Sequence, residues 1–204
     1  MVKLAAVCAA LFSCLALTPA SASAAMSDPA FTVHLLSANG SGCPPGSAAV
    51  SQASTSEFTI TYSDYIAYAG GGASPTEFRK NCQLDVGVGV PSGWTYGIFE
   101  VDYRGFAYMD KDARGSLSAS YYFAGLAKTY QQLHPLFGPQ SGDYEFTDQA
   151  KVVGWAPCHF NATLNVNTDV RVFAGSSKTF VNELTMDSSD VSLSTIYHLG
   201  FKRC

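Results

Sequence analysis

The sequence predicts an all-β protein, an antiparallel β-sandwich of jelly-roll or Greek-key type held by two disulfides. Three observations carry this. Apolar and polar residues alternate at period two in several separate stretches, clusters of Gly, Pro, Asn and Asp divide those stretches, and an even number of cysteines remains once an export signal is set aside. A barrel is the lesser alternative.

The chain opens MVKLAAVCAALFSCLALTPASASAAM. Lys3 supplies a positive start, Leu4 to Leu17 an apolar run, and Ala20-Ser21-Ala22 or Ala22-Ser23-Ala24 a small-residue cleavage pattern. This reads as a secretory signal peptide over residues 1–24, followed by one domain over 25–204. The run is shorter than the ~20 residues of a spanning helix and no other stretch comes closer, so no membrane anchor is expected. A lipoprotein signal ending at Cys14 is disfavoured by the bulky Phe12 before it. Secretion into the extracellular medium is the expectation.

Of the six cysteines, Cys8 and Cys14 leave with the signal, and Cys43, Cys82, Cys158 and Cys204 stay. Lys3 leaves too, so 11 basic residues face 16 acidic ones and the net charge moves from −4 to −5. That mildly acidic balance, with its scattered cations, excludes a nucleic-acid partner.

The first clear strand is Phe58, Ile60 and Tyr62, alternating with Thr59 and Thr61. Leu84, Val86, Val88 and Val90 form the next, then Leu117, Ala119, Tyr121 and Phe123. Leu164, Val166, Val170 and Val172 follow, and Val191, Leu193, Tyr197, Leu199 and Phe201 close the series. Between them lie turn formers such as Pro44-Pro45-Gly46, Gly70-Gly71-Gly72, Pro91-Ser92-Gly93 and Gly138-Pro139. Only Leu126 to Leu133 has near-helical spacing, and His134-Pro135 limits it to a turn or two.

Cys82 follows Arg79 and Lys80, and neighbouring cations lower a thiol's pKa. Its phase with Leu84 and Val86 points it into the core instead, where a disulfide is expected. Three pairings of four cysteines are possible. Cys43–Cys82 with Cys158–Cys204 is favoured because each closes a loop of about 40 to 46 positions within one half of the chain. A loop of that size is worth roughly 3–4 kcal/mol in the chain-entropy account.

Candidates for chemistry are few. None of His34, His134, His159 and His198 sits in a nucleophile signature. Cys158-His159 is a single pair without the second pair a zinc site needs, and Asp110-x-Asp112 lacks the spaced acids of a calcium loop, so no metal and no cofactor is expected. Glu100 and Asp102, two apart on a strand, share a face and form the one carboxylate pair with the makings of a glycoside hydrolase. Straight alternation adds Tyr96, Arg104 and Phe106 to that face, with Phe99, Val101 and Tyr103 opposite. Eleven Tyr, thirteen Phe and two Trp could supply a sugar platform, although core packing accounts for most aromatics in a sheet. Asn39-Gly40-Ser41 and Asn161-Ala162-Thr163 match the N-glycosylation pattern, which marks Asn39 and Asn161 in a eukaryotic source.

The order Asn39-Gly40-x-Gly42-Cys43-Pro44, Arg79-Lys80-Asn81-Cys82-Gln83-Leu84, Pro91-x-Gly93, Tyr103-Arg104-Gly105 and Trp155-x-Pro157-Cys158, with a final cysteine, resembles one family. It is that of the secreted proteins of fungi and bacteria grouped as domain of unknown function 4360. Members usually carry a tryptophan just before the last cysteine, where this chain has Phe201. The resemblance implies export, a shared fold and paired cysteines, and it transfers no catalytic residue. The expected role is therefore non-catalytic binding outside the cell, with a polysaccharide or another secreted protein as partner. The alternatives are a glycan-active hydrolase using Glu100 and Asp102, and an inhibitor of secreted hydrolases presenting the loop 39–47.

Overall fold

The computed structural model describes residues 28–149, 154–158, 163–177, 179–186 and 194–204. The signal segment, His159, the sequon at Asn161 and the apolar pair Val191 and Leu193 lie outside the described residues. The described residues form twelve strands and no helix.

Two antiparallel sheets pack face to face. The first (sheet A) runs β1(Thr32–Asn39), β5(Arg79–Gly89), β10(Thr163–Phe173), β7(Arg114–Phe123), β8(Tyr130–Phe137). The second (sheet B) runs β2(Ala48–Gln52), β3(Glu57–Tyr62), β12(Thr195–Arg203), β6(Trp94–Met109), β11(Asn182–Thr185), β4(Ile66–Ala69), with β9(Gln140–Gln149) along the other edge of β6. All the pairings are antiparallel, as alternating strands joined by short turns favour.

The core lies between the sheets and is built from the alternating sets. Cys82, Leu84, Val86 and Val88 of β5, Leu117, Ala119, Tyr121 and Phe123 of β7, and Leu164, Val166, Val170 and Val172 of β10 all point inward. From sheet B, Phe58 and Ile60 meet them, and Phe58 stacks on Tyr197 at 4.7 Å and 2°. Burying such rings stabilises by about 1.5–3 kcal/mol each. Tyrosines are unusually deep in this interior. Tyr65 donates its hydroxyl to Thr168 Oγ1 at 3.0 Å, and burial pushes the Tyr62, Tyr65, Tyr103 and Tyr197 hydroxyls well above their usual titration range.

Two segments differ from the sequence expectation. Leu126 to Leu133 holds no helical turn, because residues from Tyr130 onward form β8. There Gln132, His134 and Leu136 face inward while Leu133 stands 64 % exposed, a period of two that pairing with β7 imposes over weak local spacing. The second concerns β6. His198 pairs with Glu100 but Leu199 pairs with Ile98, so Phe99 is an extra residue, a β-bulge. Tyr96 and Ile98 face inward before it, and Val101, Tyr103, Ala107 and Met109 after it. Tyr96 is therefore buried and does not share a face with Glu100 and Asp102, and Phe99 stands exposed rather than opposite them.

Both disulfides form as favoured, Cys43–Cys82 with 5.4 Å between Cα atoms and Cys158–Cys204 with 5.8 Å. Cys43 and Cys82 are both buried. The cations beside Cys82 have structural partners: Arg79 pairs with Asp169, and Lys80 with Glu77 at 2.7 Å.

Candidate functional site

Two constellations face solvent, one on each sheet. The outer face of sheet A takes the polar half of each alternating strand. From β5 come Arg79, Asn81 and Gln83; from β10 come Arg171, Asp169 and Asn167, each directly opposite its β5 counterpart. On the other side of β10 stand Ser116, Ser118 and Ser120 of β7, and beyond them Pro135, Leu133 and Gln131 of β8. All of these but Ser116 and Pro135 line an open trough of about 770 Å³ that crosses four strands.

The trough centres on Asp169. Its Oδ1 accepts from Arg171 Nε at 2.5 Å and its Oδ2 accepts from Arg79 Nε. Each arginine side chain is 45 % exposed, and these contacts use one nitrogen of its fork. Both arginines line the trough together with the amides and hydroxyls around them. Neighbouring strands set these groups about 4.7–4.9 Å apart in one direction and two-residue steps of about 6.4–6.8 Å in the other. Tyr122 continues the serine row of β7 at one end, and Phe173 the β10 row at the other, against Phe78 at 5.6 Å.

The outer face of sheet B holds the sequence-predicted acids. Glu57, His198, Glu100 and Gln149 form one rung across β3, β12, β6 and β9, and Asp102 lies on the next rung opposite Thr147. His198 joins them: Nδ1 is 3.1 Å from Glu57 Oε1, and Nε2 is 2.9 Å from Asp102 Oδ2 and 3.7 Å from Glu100 Oε1. Thr147 donates its hydroxyl to Asp102 Oδ1 at 2.6 Å. Burial pushes the Asp102 carboxyl up, but the Thr147 hydroxyl, the His198 ring and the charge of Arg104 outweigh it and hold it below its ordinary value. One donor atom each from Glu100, Asp102 and His198 lie within 4.8 Å of one another, which suits a cation. Arg104 on the same face pairs with Glu145 at 3.0 Å.

Sequence reasoning missed His198 and Glu57. His198 was legible as an outward residue between Tyr197 and Leu199, but its neighbours come from strands distant in sequence. The bulge also mattered: Phe99 lies over Gly200, where a Cβ would sit 2.1 Å from the ring. It meets Trp155 edge-on at 5.4 Å.

The aromatics divide as sheet packing requires. Tyr65, Tyr96, Tyr103, Tyr121 and Tyr144 are buried, Tyr68, Tyr122 and Tyr130 half-buried, and Tyr108 exposed. Lys202 covers the Trp155 ring at 4.4 Å and Arg203 the Trp94 ring at 4.2 Å. A smaller aromatic patch lies on sheet B, where Glu183 stands between Tyr68 and Tyr108 in register and Tyr108 leans on Phe180 at 4.9 Å. Asn39 ends β1 exposed to solvent, and Ser41 of its sequon accepts a hydrogen bond from the Asn81 amide at 3.2 Å. The loop 39–47 is pinned by that contact, by the amide of Gly42 donating to Asn81 O at 2.9 Å, and by buried Cys43.

Comparison with known proteins gives one family and one relative. The profile described as "Domain of unknown function (DUF4360)" matches residues 29–204. A protein of Arthroderma benhamiae described as "Uncharacterized secreted protein" is 33 % identical over 177 residues, covering 84 % of this chain and 72 % of the relative. No solved structure matches.

Proposed function

We propose that the chain, which belongs to the domain of unknown function 4360 family, works outside the cell as a non-catalytic binding protein for polysaccharide. The observation that carries this is the trough on sheet A. Sugars present hydroxyls that both donate and accept, so they are held by dense arrays of amide, hydroxyl, carboxylate and guanidinium groups. Here those groups stand in register on rigid strands, with Leu133 exposed among them to meet the apolar face of a ring. A site on strands is preorganised, so little ordering entropy is lost when a ligand lies along it.

The secreted relative and the two disulfides support the extracellular setting. The hydrolase alternative draws less support. Glu100 and Asp102 both engage His198 rather than flanking an open cleft, and they occupy the face opposite the trough.

Pull-down on insoluble glucan, chitin and peptidoglycan tests the proposal. Retention on at least one of them is expected, with Asn167→Ala and Arg171→Ala each releasing the protein. Failure to be retained on all three overturns the polysaccharide reading and leaves a secreted protein as the partner to seek.

A further inference from the structure

We infer that Glu100, Asp102 and His198 form a binding site for one divalent transition-metal ion, with zinc as the ion of choice. The site lies on the outer face of sheet B and is independent of the trough, so either can fail without the other.

The first argument is geometric. Imidazole nitrogen and carboxylate oxygen bind zinc at about 2.0–2.2 Å, which places two donors at right angles about 2.9–3.0 Å apart and two tetrahedral donors about 3.4 Å apart. His198 Nε2 lies 2.9 Å from Asp102 Oδ2 and 3.7 Å from Glu100 Oε1, which brackets those values. All three donor atoms lie within 4.8 Å of one another, and the part-exposed Glu100 side chain is the one free to close in on an ion.

The second argument is the polarity of the ring. Nδ1 faces Glu57 Oε1 at 3.1 Å, a contact in which it donates its proton, and Nε2 faces two carboxylate oxygens, where its own proton is the one an incoming ion displaces. Nε2 and the two carboxylate oxygens thus share a positive centre, which is the Nε2 proton in the free protein and the metal ion once that proton is displaced. A carboxylate that takes the far N–H of an imidazole is the usual support of a metal-bound histidine, fixing both tautomer and ring orientation. Asp102 is supported in the same manner, because its other oxygen accepts from Thr147. The protein thus holds two of the three donors in place from behind, which a surface salt bridge does not require.

The third argument concerns donor type and access. One nitrogen with two carboxylate oxygens suits zinc or manganese better than calcium, which favours oxygen alone. Asp102 is nearly buried, but His198 and Glu100 keep 29 % and 36 % of their side chains exposed. An ion held there retains open positions for water or an outside ligand.

Titration of the disulfide-bonded, tag-free secreted chain with zinc chloride tests this, read by calorimetry and by the nitrogen shift of the His198 ring. One equivalent is expected to bind and to move the Nε2 signal while leaving Nδ1 protonated. His198→Gln is expected to abolish binding and Asp102→Asn and Glu100→Gln to weaken it at least tenfold, whereas Glu145→Gln leaves it unchanged. Glu100→Gln is the most exposed of these changes and keeps the test valid if another variant fails to fold. Absence of saturable binding for zinc and manganese chloride alike overturns the inference. So does zinc binding that survives His198→Gln, or calcium chloride binding more tightly than zinc.

Discussion

Gly105 shows how closely single atoms are set in this fold. It faces inward on β6 opposite Tyr144 of β9, whose ring lies across it so that the hydroxyl donates to Thr185 O on β11 at 2.7 Å. A Cβ at this position would stand 2.0 Å from that carbonyl and 2.5 Å from the Tyr144 hydroxyl. Gly105→Ala should therefore cost about 1–3 kcal/mol by overpacking, read as a lower urea midpoint at unchanged slope. Glu183 gives a pH effect. Burial between Tyr68 and Tyr108 raises its carboxyl above the ordinary value. A carboxyl raised in the folded state contributes stability below its unfolded pKa of about 4.3, and that contribution is lost as pH rises through the folded value. Glu183→Gln should accordingly raise Tm at pH 7 and flatten the decline in Tm between acid and neutral pH. Neither residue was legible in the sequence. A glycine after an arginine, or a glutamate beside a leucine, says nothing until a distant strand is laid next to it.

At the scale of elements, legibility followed the strength of alternation. The strands carrying Phe58, Leu84, Leu117 and Leu164 were read correctly because three or more apolar residues repeat at period two and are buried on one face. The four-residue β4 and β11 are too short to show a period, and β9 hides its inward face behind Asp148, buried against the Tyr103 hydroxyl at 2.9 Å. In β6 the bulge at Phe99 defeats counting altogether, since one extra residue reverses the phase of everything after it. That reversal is what places Glu100 and Asp102 beside His198. Deleting Phe99 should force one half of β6 to turn its apolar set outward, and the variant should lose its near-ultraviolet circular dichroism and secrete poorly. A deletion variant that folds as the parent would show that the bulge is dispensable.

For the whole molecule, two disulfides tie down regions far from the centre of either sheet. Cys43–Cys82 fixes the loop before β2 onto β5, and Cys158–Cys204 anchors the last residue. Replacing either pair by serine should lower stability by about 3–4 kcal/mol, measured by urea unfolding of the oxidised parent and the variant. Compartment, fold class and cysteine pairing were legible because they depend on composition, alternation and spacing. The trough and the cluster around His198 were not, because each gathers residues from three or more strands whose order no local pattern encodes. The sandwich therefore presents two unlike faces, a polar trough on sheet A and an acidic, histidine-centred face on sheet B. Backbone amide shifts on titration with soluble oligomers of the retained polysaccharide test the central assignment most directly. The account predicts changes confined to residues 79–83, 118–120, 131–133 and 167–171. Changes centred instead on Tyr68, Tyr108 and Glu183, or on the rung around His198, would contradict it.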